Sequence, residues 1–166
     1  KVSAIVVSSG DPVVPPPNLP TGYNLNTGGG AYTDGQGGVY GADQYFSGGK
    51  VATISNPIDG TVDDVLYQSE RFGEFSYALP LANGNYTVVL KFAEIYWEAV
   101  GQRVFDVWME NQMIISNLDI FSQVGKNRAY DVVLPVSVVD GVLNLQFSKT
   151  VDLPKVSAIV VQPGPL

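Results

Sequence analysis

In Val142-Leu143-Asn144-Leu145-Gln146-Phe147 apolar and polar residues alternate strictly. Successive side chains of a strand point to opposite faces. Leu143, Leu145 and Phe147 therefore share a core face, and Asn144 and Gln146 share the solvent face. Immediately upstream stands Asp140-Gly141, a turn signal between this strand and Val132–Val139. Asn83-Gly84 separates Phe75–Leu81 from Tyr86–Ile95 in the same way, so both pairs read as hairpins. Glu110-Asn111-Gln112 turns Val104–Met109 into Met113–Asn117, with Phe105, Val107 and Met109 facing inward and Asp106 and Trp108 opposite. Pro80 and Pro135 donate no ladder hydrogen bond and belong at strand ends, edges or bulges. No stretch shows sustained helical periodicity. The expectation is an all-β chain, a β-sandwich or jelly roll of two antiparallel sheets with long binding loops.

Composition narrows the chemistry. The 166 residues hold neither cysteine nor histidine, with 9 Lys+Arg against 16 Asp+Glu and a net charge of −7. Disulfides, thiol nucleophiles, Ser-His-Asp triads and His or Cys metal sites are excluded. The acidic balance argues against nucleic acid and against an anionic membrane surface. Apolar residues make up 45% and charged residues 15%, which is the balance of a globular chain. No apolar run reaches a membrane-spanning length of about 18 residues. Residues 1–9 are too short and polar for a signal peptide.

Lys1-Val2-Ser3-Ala4-Ile5-Val6-Val7 recurs letter for letter as Lys155-Val156-Ser157-Ala158-Ile159-Val160-Val161. Residues 1–7 read as a strand duplicated from a preceding repeat, 8–22 as a Pro-rich linker, and 23–163 as the domain proper. Of the two copies, 155–161 should hold the place in the sheet. The segment Asn26 to Gly49 is rich in glycine and tyrosine and reads as one long loop region.

Leu90-Lys91-Phe92-Ala93-Glu94-Ile95-Tyr96-Trp97 is a strand that runs out into two adjacent aromatics. One sheet face cannot bury both rings, so at least one is expected at an exposed strand exit. Flat aromatic faces beside carboxylates and amides suit a pyranose, whose C–H face stacks while its hydroxyl rim accepts and donates hydrogen bonds. The alternative is that both rings lie in the core.

Several motifs together resemble the malectin-like carbohydrate-binding domains. They are Asp64-Val65-Leu66-Tyr67-Gln68-Ser69-Glu70-Arg71-Phe72-Gly73, Lys91–Trp97, Gln102-Arg103-Val104-Phe105-Asp106-Val107, Asn117-Leu118-Asp119-Ile120-Phe121 and Pro154-Lys155-Val156-Ser157-Ala158, with Asn26-Thr27-Gly28-Gly29 as the opening turn. The resemblance spans roughly residues 24–163. It implies a β-sandwich that binds glucose-containing oligosaccharides through loop aromatics and one acidic residue. Carried onto this chain, the sugar-contacting positions are Tyr45, Phe72, Tyr96, Trp97 and Asp152. Phe72 stands where the animal member has tyrosine, and Trp97 where it has phenylalanine.

Glu70, Arg71 and Arg103 read as structural ion pairs or loop caps, while Asn127 and Arg128 are within possible reach of a sugar rim. A glycosidase would need two carboxylates, and Glu94, Glu98, Asp106 and Asp119 are the candidates. The expected role is nonetheless non-catalytic: a module accessory to a glycoside hydrolase or other larger secreted protein. No cofactor is implied. A structural calcium is weakly signalled by Asp59, Asp63, Asp64 and the Asp34-Gly35 turn, which lack an EF-hand pattern. The expected partners are a neutral, glucose-containing glycan and neighbouring repeat domains. The expected location is secreted or cell-surface, in a bacterium. The alternative function is a structural or adhesion repeat with no ligand of its own.

Overall fold

The computed structural model describes residues 18–164. In chain order the elements are β1 (Tyr23–Asn26), β2 (Tyr32–Thr33), β3 (Val39–Ala42), β4 (Phe46–Thr53), α1 (Val65–Gln68), β5 (Ser69–Pro80), β6 (Gly84–Phe92), β7 (Val104–Met109), β8 (Gln112–Leu118), α2 (Ile120–Val124), β9 (Tyr130–Val138), β10 (Val142–Val151), β11 (Lys155–Val156) and β12 (Ala158–Pro163). They build the expected all-β sandwich of two six-stranded sheets. The first sheet runs β2-β3-β1-β12-β6-β9. In the second, β5 carries β4 along one edge and β10, then β11, along the other, with β7 and β8 beyond β10. One pair departs from the antiparallel pattern: β1 and β3 run parallel, Leu25 beside Gly41.

The alternation holds where it was read. Leu143, Leu145, Phe147, Phe105, Val107 and Met109 are buried between the sheets. Phe75 stacks on Phe147 with ring centroids 4.5 Å apart, and Val88, Leu90, Phe92, Ile159 and Val161 close the core from the facing sheet. Each such side chain contributes about 1.5–3 kcal/mol by leaving water. Pro80 ends β5, and Pro135 lies on the edge strand β9 opposite Thr87.

The two Gly-containing turn signals were misread as hairpins. β5 and β6 lie in different sheets, as do β9 and β10. Asn83-Gly84 and Asp140-Gly141 carry the chain across the sandwich, and they brace each other. The Gly141 amide donates to Asn83 Oδ1 at 2.8 Å and Asn83 Nδ2 to the Val139 carbonyl at 2.9 Å. Glu110-Asn111 does form the β7–β8 hairpin, with φ of 49° and 61° at these two residues.

The chain also changes sheets at Ser157, between β11 on β5 and β12 between β1 and β6. This explains why Lys155 to Val161 is an unbroken buried run. The inner face of β12 joins the main core. Its outer face is covered by a second cluster, in which α1 contributes Leu66 and Tyr67 beside Tyr40, Ile58 and Ile95. Residues 1–7, whose displacement was expected, lie outside the described residues, as do 8–17 of the linker. At its end the Pro20 carbonyl accepts from the Ala82 amide at 2.9 Å.

Asn26–Gly49 is more ordered than expected and contains β2, β3 and the start of β4. Its glycines let backbones approach closely. Gly28 (φ 71°) presses on β5, where an added Cβ would sit 2.2 Å from the Glu70 carbonyl oxygen. Gly28→Ala is expected to cost ~1–3 kcal/mol, read as a lowered urea midpoint, because neither backbone is free to move.

Candidate functional site

A cleft of about 470 Å³ opens where the second sheet meets the strand exit after β6. Phe72 of β5, Tyr96 and Trp97 from the exit, and Asp152 from the turn after β10 all line it. The Tyr96 and Trp97 rings meet at 85° with centroids 4.8 Å apart. Tyr96 is 66% exposed, so the reading that buries both rings fails. The Trp97 indole N–H donates to Asp152 Oδ2 at 2.6 Å. Asp152 holds a φ of 56°, a left-handed conformation that aspartate tolerates better than most residues.

At the floor of the cleft lie four buried charges, of which Glu70 and Arg103 reach its lining. Glu94 Oε2 accepts from Arg103 Nε at 2.8 Å, and Lys155 Nζ pairs with the Glu70 carboxylate. Glu94 Oε1 accepts from the backbone N–H groups of Tyr96 and Trp97, both at 3.0 Å. Arg103 reaches forward to the Leu153 carbonyl and lies 3.8 Å from Asp152 Oδ2. The two arms of the cleft are thus tied to one neutral network. It fixes the aromatic pair on one side and the turn bearing Asp152 on the other.

Burial pushes the Glu94 carboxyl upward, but Lys155, Arg103 and the two amides outweigh it, so its pKa falls below the ordinary glutamate value. A depressed carboxyl adds stability that is intact above the unfolded pKa of about 4.3 and is lost as pH falls through the folded value. Urea midpoints measured from pH 5 down to pH 2 should therefore drop more steeply for the native chain than for Glu94→Gln. Parallel acid limbs would sink this. Burial lowers the Lys155 pKa, while Glu70 and Glu94 draw it back up.

Tyr45 is the one expected contact residue that does not line this cleft. It sits before β4 with a φ of 64° and packs edge-on against Tyr23, centroids 5.6 Å apart. Tyr45 precedes the end of β4 that pairs with Tyr77, whereas the cleft lies at the end that pairs with Phe72 and Glu70. Ala52, Thr53 and Ile54 line the cleft instead, because an extra β5 residue between Phe72 and Phe75, facing Gly49, sets Ala52 opposite Glu70. Nothing local in the sequence announces that register. Asn127 and Arg128 also stay away; the Asn127 amide donates to the Glu94 carbonyl at 2.8 Å.

Arg71 belongs to a separate knot. It pairs with Asp43 at 2.7 Å and lies 3.3 Å over the Phe46 ring. Asp43 also accepts from the Gly28 amide and the Tyr77 hydroxyl. The acidic candidates for catalysis are each engaged. Asp119 caps α2 through the Ser122 amide and accepts from Gly101. Asp106 accepts from the Asn117 amide, and Glu98 pairs with Lys126 at 2.6 Å. Of the calcium candidates, Asp63 accepts from Tyr32 and Gly35, Asp34 from Gln36 and Gly38, and Asp64 from Ile58. Among the described residues no cluster of three or more acidic side chains converges on a cation site.

The malectin domain model matches residues 21–159. The chain belongs to the malectin domain family. Malectin from Danio rerio is 34% identical over 168 residues, an alignment covering 87% of this chain and 58% of that protein. Malectin-A from Xenopus laevis is 44% identical over 87 residues, 51% of this chain and 32% of its own length. The chain therefore spans between a third and three-fifths of these relatives. A Bacteroides uniformis β-glucuronidase contains the same fold, with a TM-score of 0.79 at 19% identity, over 87% of this chain and 18% of that one. Malectin membership carries a carbohydrate-binding role at the level of class.

Proposed function

We propose that this malectin domain is a non-catalytic module that holds a neutral, glucose-containing oligosaccharide in the cleft of Phe72, Tyr96, Trp97 and Asp152. The observation that carries it is the exposed right-angled Tyr96–Trp97 pair, with a carboxylate hydrogen-bonded at its edge. One ring stacks on the C–H face of a pyranose. Asp152, one-third exposed, has acceptor capacity left for hydroxyls of the rim. Each aromatic contact contributes ~0.5–1.5 kcal/mol on the scale of aromatic pairs. A shallow site of this kind gives Kd values in the micromolar to millimolar range, about −8 to −4 kcal/mol.

The exposure of Tyr96 favours this reading over an adhesion repeat without a ligand. The reading needs no cofactor and no catalytic pair, since Glu94 is committed beneath the floor. It includes display in a bacterium's secreted or surface protein, beside neighbouring repeats that raise avidity. Among the described residues no helix is long and apolar enough to cross a membrane.

Calorimetric titration with glucose disaccharides and longer glucans tests the proposal, beside a panel of anionic and non-glucose glycans. Binding of a neutral glucose-containing saccharide is expected, with affinity flat from pH 6 to 8 because the chain has no histidine. Failure of every saccharide to bind would overturn it.

A further inference from the structure

The outer face of the second sheet carries a groove of about 650 Å³, and nothing on the cleft side of the domain uses it. Its centre is a cross-strand row: Ser76 of β5 stands beside Gln146 of β10, and Gln146 beside Trp108 of β7. Met113 of β8 continues the row past Trp108. Asn144 and Asn111 border it toward the β7–β8 turn, and Ser148 borders it on the other side. No residue lining the groove is charged, although the chain carries a net charge of −7. Exposed surfaces ordinarily carry interspersed charges of both signs. Here the charges stand outside the row, at Asp106 opposite Ser148 and in the Glu74–Lys149 pair at 4.0 Å.

The same two strands, β5 and β10, lead from the groove to the cleft. Phe72 in the cleft and Ser76 in the groove stand on the same strand, with the register shift against β4 and the exposed Glu74 between them. They are four positions apart, about 14 Å at the usual strand rise. β10 runs the same course, from Asn144 and Gln146 toward the turn that holds Asp152.

We propose that this face is a second subsite, in which Trp108 stacks on a later ring of an uncharged linear glycan whose end occupies the cleft. Amides and hydroxyls of Gln146, Asn144 and Ser76 meet the sugar rim, and the uncharged row matches an uncharged chain. The proposal rests on the glycan reading above and names its ligand as an extended polymer rather than a disaccharide.

Linear glucose oligomers from the disaccharide to the hexasaccharide, titrated into the native domain, Trp108→Ala and Gln146→Lys, separate the two claims. The hexasaccharide is expected to bind the native domain about three- to tenfold more tightly than the disaccharide, the gain that one aromatic contact supports. Both variants should lose that gain and keep disaccharide affinity, which also reports that they are folded. Disaccharide binding with no length dependence, or variants that retain the gain, overturns the subsite and leaves the cleft reading standing. Absence of all saccharide binding overturns both. A change of self-association in Trp108→Ala, seen by sedimentation without any effect on glycans, assigns the face to a protein contact and overturns it as well.

Discussion

Lys155→Met is expected to destabilise the domain by about 3–5 kcal/mol, a large share of the ~5–15 kcal/mol that holds an average domain together. Lys155 is fully buried, and its ammonium meets the Glu70 carboxylate, itself 3% exposed. Removing the lysine leaves an uncompensated carboxylate in a region that water does not reach. Glu94 suffers too, because Lys155 is one of the charges that hold it ionised. Urea denaturation reads the loss directly. The double variant Glu70→Gln/Lys155→Met is expected to recover most of it, since a buried pair replaced by groups that need no counter-charge is often neutral or better. A single variant as stable as the native chain would show that the network at the floor of the cleft bears little of the stability.

Trp97→Ala is expected to weaken glycan binding at the cleft by about 30- to 150-fold, ~2–3 kcal/mol, and to lower the urea midpoint as well, because the Trp97–Asp152 hydrogen bond also holds the folded chain. Two contributions are lost together. The stacking surface is worth ~0.5–1.5 kcal/mol. The indole N–H that orients Asp152 at 2.6 Å also goes, and a charge-assisted hydrogen bond of this kind is worth ~1.5–3 kcal/mol. Asp152 is then left with Arg103 at 3.8 Å as its ionic neighbour. Trp97→Phe should fall between, because it keeps a ring and loses the donor. Titration of the three proteins with one saccharide settles the order. Equal affinity in Trp97→Ala would remove the aromatic pair from the site.

The strands β7 and β10 were legible because one face is packed and the other wet, so burial writes itself into the sequence with period two. The β7–β8 hairpin was legible for a local reason: Glu110 and Asn111 turn the chain in place. Asn83-Gly84 and Asp140-Gly141 have the same local chemistry, yet each links strands of different sheets. A turn signal says that the chain reverses, not which partner it meets. The opening segment failed differently. Its glycines read as a loop, but Gly28 and Gly49 are places where one backbone lies against β5, with Cβ positions 2.2 Å from Glu70 and 3.0 Å from Phe72 carbonyl oxygens.

Alternation, turn residues and the absence of histidine and cysteine were sufficient for the fold class and for restricting the chemistry to carboxylates, amides and aromatic rings. Those features follow from short-range physics, in which a residue's type and its immediate neighbours set its preference. The meeting of Phe72, Tyr96, Trp97 and Asp152 in one cleft, the exclusion of Tyr45, and the inclusion of Ala52 came from sheet register and from the step between sheets at Ser157. Register depends on how two distant strands share a bulge and a buried charge network. That balance of contacts exists only once the sandwich has closed.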